Sequence, residues 1–455
     1  MLESLNISFV FAGIVLGFLS GFVPGVGNTI VVILSFPFLR DASMLQILLF
    51  YMAVISSSQY SGSIIATVFG VPGESSSLPA VIEGNRLFRK GIGNFAISGA
   101  AIGSLFGAFV SVVVVYTILP ILLELIKQFY NNNIQLIILL FATISICLLM
   151  GKNIIQNFLV FGLGFFLAAI GINSVPYVIV FPEIIPYEKF PKLYGGLPLF
   201  PVILSLYVFP VLLQTSENFK DYKCDRLYKD KNTLTEHLKE FIKHIGSSLR
   251  GSSFGCFFGL VPHIGTSVCA NLSYYVEKKI GIFKGTYKNT GDIKSLISAE
   301  TSNNSTGMVS LMPLLLLGIP ITASEAVLLS IIEMNSFQID YKTTIEAGLF
   351  KIIVLWFIMV NFISFIFAWP LVKFVNLFRK VKINTILMLT ALVVICLNYY
   401  VGSLTQDGIY YTLVSFFLLP LGFFLRRCEP MIIIVGFILQ DKILASLTAF
   451  IQINL

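Results

Sequence analysis

The chain has 455 residues, 56% of them hydrophobic and 12% charged, with a mean hydropathy of +0.89, against about 25% charged in an ordinary soluble domain. This excludes a water-soluble protein: length alone would suggest about three domains of roughly 150 residues, yet so little polar surface cannot coat three cores. The net charge of +7 does not point to nucleic acid, because 13 of the 30 Lys and Arg fall between Lys220 and Lys294 and others cluster at Arg86, Arg89 and Lys90, at Lys373 to Lys382, and at Arg426 and Arg427. Lying between apolar runs, these read as positive-inside anchors of cytoplasmic loops.

A bilayer-spanning helix needs about 20 residues almost free of ionised groups. No Asp, Glu, Lys or Arg lies between Glu3 and Arg40, Asp41 and Glu74, Lys90 and Glu124, Lys127 and Lys152, Lys152 and Glu183, Lys192 and Glu217, Arg250 and Glu277, Glu300 and Glu325, Lys351 and Lys373, or Lys382 and Asp407. The pattern predicts an all-α polytopic membrane protein with roughly 10 to 14 spanning or re-entrant segments. These runs are too long for the roughly 9 to 11 alternating residues of a barrel strand. The N-terminal MLESLN carries no basic n-region, so no cleavable signal peptide is expected.

The first run introduces an internal repeat. Gly13, Gly17, Gly21, Pro24 and Gly27 recur as Gly251, Gly255, Gly259, Pro262 and Gly265, and GSIIATVFGVPGESSS from Gly62 matches GMVSLMPLLLLGIPITAS from Gly307, placing Pro72 opposite Pro320. The chain therefore divides into a first membrane repeat (1–216), a cytoplasmic linker (217–250) and a second membrane repeat (251–455). The short acidic N-terminus and the basic linker suggest that the two halves are inverted. Glycines at i, i+4, i+8, seen again at Gly99, Gly103 and Gly107, form smooth stripes for close helix packing.

Pro24 with Gly25, Pro72 with Gly73, Pro262, and Pro320 each interrupt a lipid-compatible run, so discontinuous helices with re-entrant hairpin tips are expected there. Paired interruptions in two halves point to a transporter's midplane site, where helix N-termini face anions and broken backbone holds cations. Candidate substrate-binding residues are Pro24, Gly25, Gly27, Asn28 and Thr29 at the first tip, and Pro72, Gly73, Glu74, Ser75 and Ser76 at the second. The second half offers Thr266, Ser267, Pro320 and Thr322. Each hydroxyl or amide taken singly is more often a helix cap than a ligand.

Two polar islands, ISSSQYSGS before Ile64 and SAETSNNSTG before Met308, break apolar stretches. Ser56 to Ser63 and Glu300 to Thr306 are expected to be partly unwound and to face the substrate, adding Ser61, Gly62, Ser63, Asn303 and Asn304 to the binding set. Glu300, Ser302 and Asn303 are the candidates for ion coupling, since an intramembrane carboxylate can hold Na⁺ or shuttle a proton. The alternative for Glu300 is an ordinary residue at a membrane boundary.

In the linker, Leu234, Leu238, Phe241, Ile242, Ile245 and Leu249 follow a helical period, with Thr233 and Glu236 as a capping box. This amphipathic helix is expected to lie on the inner membrane face, with His237 and His244 solvated. Asn131 to Asn133 and Gly171 to Gly196 read as loops or short interfacial pieces, and Arg426 and Arg427 as a cytoplasmic turn between two helices. The six cysteines form no CxxC pair and the three histidines no HExxH, so no metal site or cofactor is expected.

Taken in order, GFVPGVGNT, YSGSIIATVFGVPGESSSLPAVIEGNRLFRKGIGNFAIS, SAETSNNSTGMVSLMPLLLLGIP and GFFLRRCEPMIIIVGFIL resemble the successive signature blocks of the large membrane subunit (TctA-type) of tripartite tricarboxylate transporters, from about Gly13 to about Leu444. The resemblance implies a cation-coupled secondary importer of the bacterial inner membrane. It also implies a small four-helix membrane subunit and a periplasmic solute-binding protein that delivers carboxylates such as citrate. The family's tips and island map onto Pro24 to Gly27, Gly62 to Ser77 and Glu300 to Asn304. Departures are His263 and Ile321, where glycine is usual, Phe69-Gly70 in place of the usual asparagine, and MNSFQIDYK after Glu333. Two other classes compete: a passive anion channel, and an intramembrane enzyme. For the enzyme, Ser75 to Ser77 with Glu74 or His263 make no convincing dyad, so none is expected.

Overall fold

The computed structural model describes residues 2–23, 27–129, 132–149, 153–172, 179–180, 191–218, 233–261, 265–287, 289–320, 322–346, 348–378, 383–404 and 407–454. The first part of the chain forms α1 (Leu2–Phe22), α2 (Gly27–Leu34), α3 (Met44–Phe69), α4 (Gly93–Phe129), α5 (Asn132–Leu149) and α6 (Ile154–Ala168). After a helical run from Leu199 to Asn218 come α7 (Leu234–Ile242), α8 (Ile245–Phe258), α9 (Thr266–Phe283), α10 (Ile293–Val309), α11 (Leu311–Leu317) and α12 (Ala323–Met334). The last four are α13 (Leu349–Phe378), α14 (Ile383–Leu404), α15 (Gly408–Leu425) and α16 (Pro430–Asn454). The described strands are one antiparallel pair of two residues each, Gly171 opposite Val180 and Ile172 opposite Ile179.

Among the described residues four helical stretches are long and apolar enough to cross a bilayer on their own: Gly93–Leu125, Leu349–Ala368, Gly408–Leu425 and Ile432–Ile451. Four shorter apolar stretches accompany them: Asn6–Phe22, Ile154–Ala168, Leu199–Gln214 and Leu387–Ser403. α3, although 26 residues long, is not among them because it carries its polar island in the middle of its apolar run.

Two compact units form, and they do not coincide with the sequence halves. One takes Met1–Leu119 and Phe219–Leu387, the other Pro120–Asn218 and Met388–Leu455. Pro120, where the first unit gives way to the second, lies inside α4 and removes a backbone donor there.

In the first unit α3 and α10 are the most completely buried helices, and glycine stripes let neighbours reach them. A side chain at Gly13, Gly17 or Gly21 of α1 would strike α3, at Phe50 and Ala53, Val54 and Ser57, or Ser58 and Ser61. Gly251 and Gly255 of α8 back in the same way onto Ser298 and Ser302 of α10, and Gly103 and Gly107 of α4 onto its Thr301. The stripes expected from sequence are therefore packing surfaces, and they wrap polar rather than apolar helices.

The helix ends follow local chemistry. Ser43 and Gln46 form a capping box at the start of α3, which stops at Gly70 with φ +71°. α11 stops at Gly318 with φ +65°, a left-handed conformation that favours glycine. Each glycine precedes a proline by two residues, Pro72 and Pro320, so neither helix resumes. Thr322 and Glu325 then box the start of α12, and α1 and α8 end at Phe22 and Phe258, before the other two interruptions.

Both polar islands correct an expectation. Ser56 to Ser63 lies in continuous helix α3 and Glu300 to Thr306 in continuous helix α10. The hydroxyls supply the reason, since Ser57, Ser61, Thr301, Ser305 and Thr306 each donate to the carbonyl four residues back, at 2.6–3.3 Å. A buried hydroxyl satisfied by its own helix does not require unwinding.

The linker helix α7 begins at the expected Thr233–Glu236 box, but His237 is not solvated. It is buried, with Nδ1 2.8 Å from Ser98 Oγ and its ring edge-on to Phe95. One turn on, Phe241 packs with Ile102 and Ile297. Residues four apart share a helix face, so the apolar face that buries Phe241 takes the histidine with it. His244 is half-buried, 3.4 Å from Glu240. An apolar groove of about 510 Å³ runs between α7, α4 and α13.

In the second unit α16 packs along α6 and α5, with Gly164 and Gly436 each against a facing carbonyl. The helix–turn–helix around Arg426 and Arg427 is present, and Arg426 pairs with Glu217 at 3.1 Å. Asn132 and Asn133, read as loop, open α5.

Candidate substrate site

The two islands meet inside the first unit. Gln59 of α3 faces Gly307 of α10, with its Nε2 about 3.5 Å from where a Cβ would stand. Glu300, Asn303, Asn304 and Gly307 occupy one face of α10 by their i, i+3, i+4, i+7 spacing. The tip residue Glu74 packs its side chain on Gly62 of α3. Gly73 lies so close to Gly21 and Gly62 that a Cβ there would meet the Gly21 carbonyl oxygen at 2.0 Å. The second tip is thus inserted against α1 and α3, at the level of their glycines.

Here the polar accounting breaks down. Gln59 Nε2, Ser63 Oγ, Thr67 Oγ1, Glu74 Oε1, both Glu300 oxygens, Ser302 Oγ and all four amide atoms of Asn303 and Asn304 are buried without a hydrogen-bond partner. An unpaired buried polar atom costs about 1–3 kcal/mol, and a domain's whole stability is about 5–15 kcal/mol. Eleven such atoms left dry would cost about as much as a whole domain's stability or more, so they call for polar partners such as water, an ion or a ligand. Glu300 is 1% exposed.

The expected residues fare unevenly. Ser63, Glu74, Glu300, Ser302, Asn303 and Asn304 contribute open polar atoms, while Gly62 and Gly73 make the close approaches that shape the place. Ser76 is buried and donates to Glu74 Oε2 at 3.4 Å. Ser61 is committed to its own helix and to the α1 contact. Thr322 is a cap, its Oγ1 accepting from the Glu325 amide at 3.2 Å. Asn28 and Thr29 pair with each other at 3.4 Å on α2, which lies against α12, and Gly27 starts that helix with φ +54°. Thr266 and Ser267 open α9, which packs on the Ser75–Ser77 turn and on α10; Pro320 is buried just before α12. Pro24, Gly25, His263, Ile321 and the side chain of Ser75 lie outside the described residues.

Three residues of the site were not singled out from sequence. Gln59 and Tyr60 sit within the first island, and Asn361 lies in the apolar run of α13 with Ser364 one turn on. Asn361 donates to Ser56 Oγ at 3.2 Å and accepts from Tyr60 OH at 3.5 Å, buttressing α3 from behind. An Asn in a spanning helix was the available signal. Among the described residues no group of three His, Cys, Asp or Glu could hold a metal ion.

The profile of the tripartite tricarboxylate transporter TctA family matches residues 7–435, nearly the whole chain. The chain belongs to this family. Its members are transporter components rather than enzymes. A relative in Agrobacterium vitis, described as an uncharacterized 52.8 kDa protein in the TAR-I ttuC' 3' region, is 27% identical over 323 residues, 70% of this chain and 62% of the relative. The chain therefore matches less than two thirds of that relative's length. No solved structure matches it.

Proposed function

We propose that the protein is the large membrane subunit of a cation-coupled importer of carboxylates in the bacterial inner membrane. It works with a small four-helix membrane subunit and a periplasmic solute-binding protein that delivers the substrate. The observation that carries this is the buried cluster of unpaired amides, hydroxyls and carboxylates between α3, α10 and the Pro72 tip. Neutral donors such as Gln59, Asn303 and Asn304 suit a carboxylate, while the open oxygens of Glu74 and Glu300 suit Na⁺ or H⁺. No Lys or Arg is among the buried polar residues described, so a transported cation would offset the acidic pair.

In this reading the halves are inverted relatives that expose the site alternately. Three pairs of observations support it. α1 lies on α3 as α8 lies on α10; Gly70 and Pro72 repeat as Gly318 and Pro320; and α2 packs on α12 as α9 packs on the Ser75–Ser77 turn. The last pair is reciprocal, the helix after the first interruption of each half meeting the segment after the second interruption of the other, as a two-fold relation between halves would produce.

The test is uptake of labelled di- and tricarboxylates into proteoliposomes holding all three components, with and without Na⁺ and proton gradients, for wild type and Glu300→Gln. Gradient-driven uptake that falls at least about tenfold in folded Glu300→Gln, as for loss of a required ionisable group, is expected. Uptake indifferent to both gradients would make the protein a passive channel. Full gradient-driven uptake in the variant would remove Glu300 from ion coupling.

A further inference from the structure

We infer that Glu83 is a positioning residue for the candidate site: it and Asn85 hold the ends of the two island helices in register. This deepens the proposed function, since it concerns the same site, while Glu83 accepts its hydrogen bonds from Tyr274, Tyr287 and Asp292 and from none of the unpaired atoms.

Glu83 lies in a π turn, Ala80–Gly84, a few residues beyond the Pro72 tip, and is fully buried. A lone buried carboxylate would be prohibitively costly, and this one accepts three hydrogen bonds from the other half of the chain, with Arg86 Nη1 4.0 Å from its Oε1. Its Oε1 accepts from Tyr274 OH at 2.9 Å and Tyr287 OH at 3.0 Å, and its Oε2 from the Asp292 amide at 2.9 Å. Asp292 is the N-cap of α10, its own carboxylate accepting from the Ser295 amide at 2.9 Å. Glu83 therefore grips the residue from which the helix of Glu300, Asn303 and Asn304 starts.

Two residues on, Asn85 does the corresponding work for α3. Its Nδ2 donates to the carbonyls of Thr67 and Val68 at 3.0 and 3.3 Å, two of the terminal carbonyls that a helix leaves open. Around this bridge Arg86 donates to the Asn289 carbonyl at 3.1 Å, Lys278 reaches Tyr274 OH at 3.3 Å, and Gly291, at φ +119°, lets Leu87 approach to where a Cβ would stand. One segment of a few residues thus fastens the C-terminal end of one polar helix to the N-terminal end of the other. Sliding α10 along α3 would strip three hydrogen bonds from a buried carboxylate, so the junction determines which of Gln59, Ser63, Glu300 and Asn303 face one another.

Natural cysteines report the position of α10. Cys256 and Cys269 are buried against Ser305 and Thr306 of that helix, whereas Cys147 is buried in the second unit. The experiment labels the full chain in nanodiscs with N-ethylmaleimide and reads each cysteine separately by mass spectrometry, for wild type, E83Q, Y274F/Y287F and the triple variant. Labelling at Cys256 and Cys269 should rise about tenfold in E83Q and in Y274F/Y287F through local opening, with Cys147 within about twofold of wild type. The triple variant should rise no further, because all three residues act through one carboxylate. Unchanged labelling at Cys256 and Cys269, an equal rise at Cys147, or additive effects would overturn the inference. Should E83Q fail to fold, Y274F and Y287F, each removing one hydroxyl, carry the same comparison. Labelling requires no transport, so the junction can fail while uptake stays gradient-driven, and the reverse.

Discussion

At the scale of single residues the protein is governed by where a side chain is forbidden. A Cβ at Gly73 would stand 2.0 Å from the Gly21 carbonyl oxygen and 2.6 Å from the Gly62 Cα, all backbone that cannot swing aside. Gly73→Ala should therefore destabilise by about 1–3 kcal/mol, the usual range for overpacking, and displace Glu74 beside it. Gly162 on α6 has nothing within 4 Å of its would-be Cβ, so Gly162→Ala should be neutral or stabilise by up to about 1 kcal/mol. Thermal midpoints of the two variants in one detergent check both; a matched effect would show that the tip is not wedged as described. Glycine and proline positions were readable from sequence because their backbone preferences are intrinsic. The partners were not: nothing in GVPGESSS says that Gly73 meets Gly21, a contact across 51 intervening positions that only folding creates.

At the scale of elements, capping was the most legible feature. The Thr233–Glu236 box lies where the text places it, because a cap involves only neighbours along the chain. The burial of His237 and the helicity of the islands are not legible in the sequence for the opposite reason, since polarity alone does not say whether a polar group bonds water, a ligand or the protein itself. The docking of α7 gives an element-scale comparison. Lys243 donates to Glu240 at 2.8 Å, and this hydrogen bond holds the Glu240 carboxyl below its usual range. Such a depressed acid contributes above its unfolded pKa, and the contribution is lost as pH falls through the folded value. The pair is exposed, so its worth is at most about 0.5 kcal/mol. Phe241 is buried against α4 and α10, and truncating such a ring costs about 3–5 kcal/mol. Limited proteolysis near residue 233 should therefore accelerate strongly in Phe241→Ala and barely in Lys243→Ala. Equal rates would mean that α7 is held by its charges.

At the scale of the whole molecule, each compact unit is assembled from both halves of the chain. Neither 1–218 nor 219–455 contains a complete unit, so neither should accumulate as a folded species when expressed alone. Co-expressed, the two should copurify, since the division at 218 and 219 coincides with a unit boundary. Stable, protease-resistant 1–218 on its own would contradict this. The sequence split near residue 217 and the structural units answer different questions, because relatedness is written along the chain whereas compactness depends on which helices pack.

By itself the amino-acid sequence determined the membrane class, the helix ends at glycine and proline, the capping boxes and the family, all of which rest on composition or on residues close in the chain. It also marked Glu74, Glu300, Asn303 and Asn304, since polar groups inside apolar runs are too costly to be idle. Only the tertiary structure decided that the islands are intact helices, that Asn361 belongs with them, and that Glu83 bonds the start of one and Asn85 the end of the other. Those facts depend on which carbonyl, hydroxyl or amide arrives from a distant segment, and a hydrogen bond between positions 83 and 292 leaves no periodicity for a reader of the chain to find.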